Sequence, residues 1–330
     1  MEIKGRIDSP STISQASDII RGRSDLPASV VRTGDAGKFA WEEFFRGKIR
    51  NTHTRRAYER GVRRFLAWVE VQNLELHHIT PGIVGEYFDQ LTLSHSSKKL
   101  QLAGLRAFFD CLVLRHVIVL NPALSVRGPK HQVIEGKTPE ISAEQARRLL
   151  ASINTTKVIG LRDRAIISVL IYTAVRVGAV ATLCLKDFEH DGSHWSLRFT
   201  EKGGKSREIP VRSDLEDAIL AYLEVGAIRR DTKTSPLFRS ATGRTGKLTE
   251  RALSPIDISR MVKRRLKAAG LPLRYSPHSF RVAVITDLLG HGAQLEDVQQ
   301  LAGHADPRTT RLYDRRQQKV TRNIVERITI

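Results

Sequence analysis

A stretch rich in Pro and Gly divides this chain, and it constrains the fold more than any other feature of the sequence. Residues 125–139 are polar and basic, a composition typical of an extended linker. Asn121-Pro122 ends the helical pattern before the linker, and Ser142 with Gln145 forms a capping box that begins a helix after it. The predicted parts are a flexible leader (1–37), a first domain (38–124), the linker, a second domain (140–316) and a tail (317–330).

The first domain is predicted to be a helical bundle with a basic surface. From Thr52 to Glu70, apolar residues recur at helical spacing while arginines occupy the opposite face, and a further helix covers Ser96 to Leu114. Residues 46–130 hold 14 Lys and Arg against 6 Asp and Glu, which favours contact with a phosphate backbone over an ordinary solvated face. The expected DNA contacts here are Arg55, Arg56, Arg60, Arg63, Lys98, Lys99 and Arg106.

The second domain is predicted to be α+β: mostly helical, with a small antiparallel sheet. Residues from His194 to Thr200 alternate between polar and apolar side chains, as a strand with one buried face does. Residues 201–205 supply a turn, and residues 207–211 return as the partner strand. Lys205 and Arg207 on this hairpin join the expected DNA contacts. The fold class is therefore mainly α, in two domains.

The charge of the chain limits its partners. It has 54 Lys and Arg against 35 Asp and Glu, a formal net charge of +19, which predicts nucleic acid or an anionic membrane surface as the partner. The alternative is a generally basic protein with no such partner. The central apolar run from Ala165 to Val175 has 11 residues, whereas a bilayer needs about 20. Since no apolar signal segment begins the sequence, we expect a soluble, cytoplasmic protein.

Several reaction classes lack their motifs in this sequence. There is no G-x-x-x-x-G-K-[ST] loop for ATP hydrolysis. Two cysteines, Cys111 and Cys184, are too few for a disulfide framework or a Cys-rich zinc site. No dense run of carboxylates suggests a two-metal nuclease. We therefore predict no cofactor and no metal, so that a reaction on phosphate would depend on protein cations.

The C-terminal half offers such cations together with one tyrosine. His278 and Arg281 share one face at the start of a predicted helix. His304 follows Gly303, which ends the next helix, and Tyr313 comes nine residues later. A tyrosine hydroxyl has a pKa of about 10, so its attack on phosphorus needs a proton acceptor and cations that stabilise the developing charge. Taken singly, each of these residues is more often a surface or packing residue.

Two further cations come earlier in the chain. Arg176 directly follows the apolar run, where a charged side chain either neutralises a helix end or belongs to a site. Lys202 stands beside Gly203 and Gly204 in the predicted turn, where backbone can approach a phosphate closely. Most turn lysines are merely solvated, so position alone does not give Lys202 a role.

Taken in order, these residues resemble the tyrosine recombinase (phage integrase) family. The ordered set is Arg176, Lys202, His278-x-x-Arg281, Gly303-His304 and Tyr313. Thr309-Thr310-x-x-Tyr313 and, in the first domain, Thr54-Arg55-Arg56-Ala57-Tyr58 are also typical of the family. The resemblance covers residues 39–325. It implies a SAM-like helical core-binding domain and an α+β catalytic domain that together form a C-shaped clamp on duplex DNA.

The resemblance implies a role for each matched residue. Tyr313 would be the nucleophile, forming a 3′-phosphotyrosyl bond and releasing a 5′-hydroxyl. Arg176 and Arg281 would hold the nonbridging oxygens, since guanidinium groups suit phosphate geometry. The other roles would be general acid for the 5′-oxygen (Lys202), proton transfer with the tyrosine (His278) and a hydrogen bond to the scissile phosphate (His304).

Four positions depart from the pattern of the family. Ala174-Val175 stands where Gly-Leu is usual, and Val282 where histidine is frequent. Ala179 replaces an acidic residue that usually follows the first arginine by three positions, and Glu201 or Asp187 could replace that carboxylate in space. Because all six catalytic residue types remain, we expect an active enzyme.

The resemblance also implies partners. These are double-stranded DNA with specific recombination sites and further copies of the chain, as a tetramer on synapsed DNA. The tail has apolar residues at helical spacing and would dock on a neighbouring protomer, or else on its own domain. The reaction would integrate and excise a mobile element or resolve replicon multimers. The alternatives are an inactive DNA-binding architectural protein and a type IB topoisomerase.

Overall fold

A computed structural model describes residues 26–129, 138–200, 206–243 and 245–313. Its contacts divide the chain into two units, Met1–Gln132 and Val133–Ile330, with the boundary inside the predicted linker. The predicted tail and most of the predicted leader lie outside the described residues. Within those ranges, each helix is too short or too polar to cross a bilayer. The clamp depends on how the two units are placed on DNA and stays a prediction.

The first unit is a bundle of helices, as predicted. Asn51 begins the long basic helix, since its side chain accepts hydrogen bonds from the amides of His53 and Thr54 at 3.0 and 3.1 Å. Ser94 caps the last helix in the same way. The helices are α1 (Ala28–Arg32), α2 (Gly34–Glu42), α3 (Thr52–Val71), α4 (Pro81–Gln90) and α5 (His95–Leu114), with a π-helical turn at Glu43–Lys48 and a 3₁₀ turn at Leu76–His78.

Aromatic side chains dominate the core of the first unit. Trp41, Phe44, Phe45 and Phe108 pack together, with ring centroids between 4.5 and 6.0 Å apart. Aromatic pairs at such separations stabilise a core beyond the burial of their area. The apolar face of α3 is fully buried against this cluster and α5, which leaves its arginine face outward.

The predicted leader is wrong over residues 28–37, which belong to the bundle. α1 and α2 lie there; Val30 is fully buried in the aromatic core, and the Ser29 amide donates to Glu70 Oε1 at 2.8 Å. These helices have only 5 and 9 residues. An apolar period cannot be recognised over such lengths, and long-range contacts rather than local pattern hold them in place.

The second unit is mainly helical around a small antiparallel sheet, which confirms the predicted fold class. α7 is its central helix, with Ile166, Val169 and Leu170 fully buried. The helices are α6 (Ala143–Ala151), α7 (Val158–Thr173), α8 (Val177–Ala181), α9 (Ser213–Val225), α10 (Pro255–Ala268), α11 (Pro277–Gly290), α12 (Leu295–Ala302) and α13 (Pro307–Arg311), with a 3₁₀ turn at Leu185–Asp187. The strands are β1 (Phe188–His190), β2 (Trp195–Thr200), β3 (Ser206–Pro210), β4 (Arg239–Ala241) and β5 (Leu248–Ala252).

The hairpin predicted from the sequence forms the larger sheet. β2 lies between β1 and β3, both antiparallel to it, and Leu197 pairs with Ile209. Leu197 and Phe199 are fully buried, as the alternation predicts. β4 and β5 form a second antiparallel pair that the sequence analysis missed. Those two strands have 3 and 5 residues, all exposed or half-buried, so they lack the alternation that marks a strand with one buried face.

A buried ionic cluster joins α7 to α10. The Asp163 carboxylate is 1% exposed and lies 2.7 Å from the Arg162 guanidinium and 2.7 Å from that of Arg265. Arg162 also donates to the Arg239 carbonyl at 2.8 Å, which ties β4 to the same cluster. A carboxylate this deeply buried is tolerated because two guanidinium groups hold it.

Asp163→Asn is expected to destabilise the second unit. The amide keeps the shape but leaves two guanidinium groups without their carboxylate, and breaking a buried ion pair costs about 3 kcal/mol of unfolding free energy or more. Urea unfolding followed by circular dichroism measures this difference. Asp257→Asn removes an exposed carboxylate on α10 and is the matched control. A loss below about 1 kcal/mol for Asp163→Asn would mean that the cluster is not a stabilising element.

Candidate active site

His278 and Arg281 enter the site from the first turn of α11. Ser276 and Ser279 form a capping box, with the Ser276 amide 3.1 Å from Ser279 Oγ, and Pro277 occupies the first turn. One helical turn separates His278 from Arg281, so both side chains lie on the same face. Arg281 is 1% exposed, and it is therefore held by the surrounding protein rather than by solvent.

Arg281 connects α11 to the end of α7. Its Nη1 atom donates to the carbonyl oxygen of Ala174, which caps α7 in a left-handed conformation with φ of 51°. After this turn, Arg176 is the N-cap residue of α8. The guanidinium of Arg176 is exposed, and its Nη1 atom lies 3.5 Å from the Gly303 carbonyl oxygen. The two arginines are thereby brought to one place.

His304 is fixed in the turn after α12. Gly303 ends that helix with φ of 63°, the left-handed conformation predicted for it. The His304 amide donates to the Gln299 carbonyl at 3.2 Å, and Gln299 Nε2 donates to the His304 carbonyl at 3.0 Å. Its ring is nearly buried, with Nδ1 2.9 Å from Thr310 Oγ1. Backbone and ring are therefore both held in place.

Tyr313 completes the arrangement. It follows α13, is 9% exposed, and places its hydroxyl oxygen 3.3 Å from His278 Nε2. Its ring is nearly parallel to that of His304, with centroids 6.1 Å apart and an interplanar angle of 10°. Five of the six predicted catalytic residues are therefore close together, and Lys202 lies outside the described residues.

Both histidines of the site are neutral near pH 7. Burial lowers the pKa of His278, and the positive charges of Arg281 and Arg176 lower it further. The same causes lower the pKa of His304 to about 3. A neutral imidazole can accept a proton, so His278 Nε2 can take the proton of the Tyr313 hydroxyl beside it.

The buried neutral His304 makes stability depend on pH. Its pKa is about 3 in the folded protein against 6.5 ordinarily, so the unfolded chain binds a proton between these values while the folded protein does not. The contribution of neutral His304 to the free energy of unfolding is complete above pH 6.5. It is lost as the pH falls below that value, at about 1.4 kcal/mol per pH unit. Urea unfolding at pH 7 and pH 5 should show a smaller loss for His304→Asn than for wild type. Equal losses would contradict a neutral buried ring.

Comparison with known proteins identifies the family. A sequence model described as the phage integrase family matches residues 139–319, more than half of the chain. The chain belongs to the phage integrase family. A second model, described as the phage integrase N-terminal SAM-like domain, matches residues 41–116. The two matches confirm the resemblance seen in the sequence.

Relatives of this integrase-family chain carry one recurring name. The chain is 30% identical over 253 residues to tyrosine recombinase XerC of Myxococcus xanthus, and the match covers 74% of this chain and 80% of the relative. The chain is 32% identical over 289 residues to tyrosine recombinase XerC of Rhodospirillum centenum, and the match covers 83% of this chain and 80% of the relative.

Solved structures show the same fold. The XerH site-specific recombinase bound to palindromic difH substrate, in a post-cleavage complex, matches with a TM-score of 0.68 and 18% identity over 92% of this chain and 90% of that one. A lambda integrase dimer bound to a COC′ core site matches with a TM-score of 0.64 and 17% identity, over 88% and 96%.

Many of the basic residues predicted to contact DNA have partners inside the protein. Arg55 donates to the Ile49 carbonyl at 3.1 and 2.9 Å, Lys98 to the Phe88 carbonyl at 2.7 Å, and Arg106 to the Ala123 carbonyl at 3.1 Å. Arg63 pairs with Glu59 at 3.0 Å and lies 4.9 Å from the centroid of the Trp41 ring. Arg56, Arg60 and Lys99 are exposed, and Lys205 lies outside the described residues.

Arg207 contacts the active-site segment rather than standing free on the hairpin. Its Nη1 atom donates to the carbonyl oxygens of Gln300 and Leu301, at 3.0 Å for Gln300. These carbonyls belong to the last turn of α12, just before His304. Arg207 therefore attaches the hairpin to the turn that holds His304, and its role as a DNA contact stays a prediction.

An open groove beside the candidate site was not predicted from the sequence. A cavity of about 610 Å³ is lined by Arg260, Lys263 and Arg264 of α10, together with Val177 and Pro277. Val177 follows Arg176 and Pro277 precedes His278, so the groove adjoins the site. The signal was present, because these cations recur at helical spacing opposite the buried apolar face of α10.

One group of possible metal ligands occurs among the described residues. Glu75, His77 and His78 place three ligand atoms within 4.8 Å of one another. All three side chains are exposed and belong to the first unit, whereas the predicted catalytic residues belong to the second. The chemistry described above uses none of them.

The departures from the family pattern occupy definite places. Ala174 holds a left-handed conformation that costs an alanine about 1 kcal/mol, which is where glycine is usual in the family. Val282 is buried in the apolar cluster that includes Tyr313. Asp187 accepts a hydrogen bond from the Cys184 amide at 2.8 Å and so caps its own 3₁₀ turn. Glu201, the other alternative for the carboxylate absent at Ala179, lies outside the described residues.

Proposed function

We propose that the protein is a site-specific tyrosine recombinase in which Tyr313 cuts and rejoins duplex DNA. The observation that supports this best is the placement of the Tyr313 hydroxyl 3.3 Å from His278 Nε2, beside Arg281 and Arg176. A nucleophile, a neutral base and fixed cations are what attack on a phosphodiester without a metal requires. Double-stranded DNA is the substrate, in keeping with the family.

Cleavage then follows from the geometry. The Tyr313 oxygen attacks phosphorus while its proton passes to His278 Nε2. A 3′-phosphotyrosyl bond forms, the bond from phosphorus to the 5′-oxygen breaks, and that oxygen leaves as a hydroxyl after taking a proton. The guanidinium groups of Arg281 and Arg176 stabilise the charge on the nonbridging oxygens. Lys202 supplies the proton to the 5′-oxygen, a role assigned by the order of its motif.

Rejoining is the same reaction in reverse. A 5′-hydroxyl from the same or another strand attacks the phosphotyrosine, and His278 returns the proton to the departing Tyr313 oxygen. One phosphoester replaces another, so no energy source beyond the DNA bond is needed. Strand exchange between two duplexes cuts four strands, and each protomer supplies one tyrosine. We therefore propose a homotetramer on paired sites, in which the tail 317–330 docks on a neighbouring protomer.

We propose that the protein acts on chromosomal or mobile DNA in the cytoplasm. Its biological role is either integration and excision of a mobile element or resolution of multimeric replicons. Integration pairs sites on two molecules, whereas excision and resolution pair sites on one, and the same catalytic residues would serve each arrangement.

Trapping the covalent intermediate tests the proposal. A binding site is first selected from a random duplex library with the full chain, and a nick is then placed so that the cleaved end diffuses away. We expect an adduct that survives denaturation, with the DNA remnant mapped to Tyr313 by mass spectrometry. Binding without an adduct would indicate an architectural protein. Efficient relaxation of supercoiled plasmid that lacks the site would instead indicate a topoisomerase.

The exposed arginine stripe of α3 is expected to contact phosphates. Arg56 and Arg60 lie one turn apart on the outward face. Arg56→Gln with Arg60→Gln should lower the slope of log affinity against log salt by about 2, since each phosphate contact contributes about 0.9. Binding titrations followed by fluorescence anisotropy, between about 50 and 300 mM salt, measure the slope. Arg229→Gln with Arg230→Gln is the charge-matched control, and an unchanged slope in the α3 variant would exclude this face.

A further inference from the structure

A buried hydroxyl contacts the ring of His304. Thr310 is fully buried on α13, and its Oγ1 atom lies 2.9 Å from His304 Nδ1. In the described part of the chain, the Thr310 hydroxyl has no other hydrogen-bond partner. His304 itself is 7% exposed, so neither group can exchange this contact freely for water.

The contact has two possible arrangements, and they differ in cost. If Nδ1–H donates to Thr310 Oγ1, the hydroxyl hydrogen is left buried without an acceptor, which is unfavourable. If the hydroxyl donates to Nδ1, both groups are satisfied and the imidazole hydrogen must reside on Nε2. The second arrangement leaves no buried donor unpaired.

We propose that Thr310 donates its hydroxyl hydrogen to His304 Nδ1 and thereby holds His304 as the Nε2–H tautomer. Thr310 is then a positioning residue of the recombinase. This inference rests on the proposed function for its purpose, since the Nε2–H group is presented to a nonbridging oxygen of the scissile phosphate. The hydrogen bond itself exists in the protein without DNA.

The substrate explains why the tautomer matters. A phosphodiester oxygen accepts hydrogen bonds and cannot donate them, so a neutral histidine helps only through the nitrogen that carries hydrogen. His304 is neutral because burial and the nearby positive charges of Arg281 and Arg176 oppose its protonation, together with His278 and Arg207. A neutral ring with hydrogen on Nδ1 would turn a lone pair toward the phosphate and repel it.

Nitrogen NMR reads the tautomer directly. The full chain, labelled with ¹⁵N only in histidine and free of DNA, is compared with His304→Asn to assign the ring signals. We expect wild-type His304 to be the Nε2–H tautomer, Thr310→Ser to keep it, and Thr310→Val to give a mixture of both tautomers. An Nδ1–H tautomer in wild type, or an unchanged spectrum in Thr310→Val, would overturn the proposal.

Kinetics test the purpose of the contact. On the nicked substrate, Thr310→Val should slow adduct formation about tenfold with unchanged DNA affinity, whereas Thr310→Ser should keep the wild-type rate. Thr309→Val, a change of the same size on the preceding residue, is the matched control. A wild-type rate in Thr310→Val would remove the positioning role. If wild type itself formed no adduct, the proposed function would fail while the NMR result would still decide the hydrogen bond.

Discussion

Tyr313→Phe is expected to form no covalent adduct with DNA while it binds the selected site as tightly as wild type. Phenylalanine lacks the oxygen that attacks phosphorus, so the rate of adduct formation should fall by more than about a thousandfold. The ring retains its stacking on His304 and its place in the apolar cluster with Val282 and Ile285. Single-turnover reactions resolved on denaturing gels measure the rate, and mobility shifts measure the affinity.

A matched tyrosine separates the nucleophile from a general effect of losing a hydroxyl. Tyr172 lies on α7, with the Arg212 guanidinium 4.8 Å from the centroid of its ring. Tyr172→Phe should cleave at the wild-type rate. An adduct that persists in Tyr313→Phe, mapped to a different residue, would contradict the assignment of the nucleophile, whatever the affinity of the variant.

The residues that meet in the candidate site could be predicted from the sequence because their order and spacing are informative together. The turn that holds His304 was also readable, since Gly303 after an amphipathic segment predicts a left-handed cap. The long-range contacts that position these residues could not be predicted from the sequence. Arg281 meets the Ala174 carbonyl across more than a hundred residues, and no local pattern marks such a pair.

The sequence also could not show which of the expected DNA contacts are bonded within the protein. A basic residue at helical spacing has one sequence signature, whether it faces phosphate or donates to a carbonyl of its own domain. Arg55 and Arg106 donate to backbone carbonyls, whereas Arg56 and Arg60 face outward. Only the tertiary structure separates the two groups, because the carbonyls lie at the ends of other segments.

The fold was predictable where a regular pattern lasts long enough. The 20 residues of α3 show their apolar face clearly, and the six-residue strand β2 shows alternation. α1, β4 and β5 are three to five residues long and take their conformation from what they contact. Elements of that length bury too few side chains to produce a recognisable hydrophobic pattern in the sequence.

Arg281→Lys is expected to reduce cleavage about a thousandfold while DNA affinity changes little. The guanidinium donates to the Ala174 carbonyl and can present further N–H groups to phosphate, whereas a lysine ammonium has the charge without the planar fork. Removing one preorganised donor to a developing oxyanion typically costs a hundredfold to about a thousandfold in rate. Affinity depends on many phosphate contacts, so the loss of this fork should leave it nearly unchanged.

Because Arg281 is buried, its replacement could reduce cleavage by destabilising the fold, and this effect has to be measured separately. Thermal unfolding of Arg281→Lys shows whether the variant is folded at the assay temperature. Arg176 is exposed, and Arg176→Lys should lose cleavage to a similar degree without any effect on stability. Arg198→Lys, on the exposed face of β2, is the control and should cleave normally. If both active-site variants lost affinity in proportion to rate, the two arginines would bind DNA in general rather than stabilise the phosphate as it reacts.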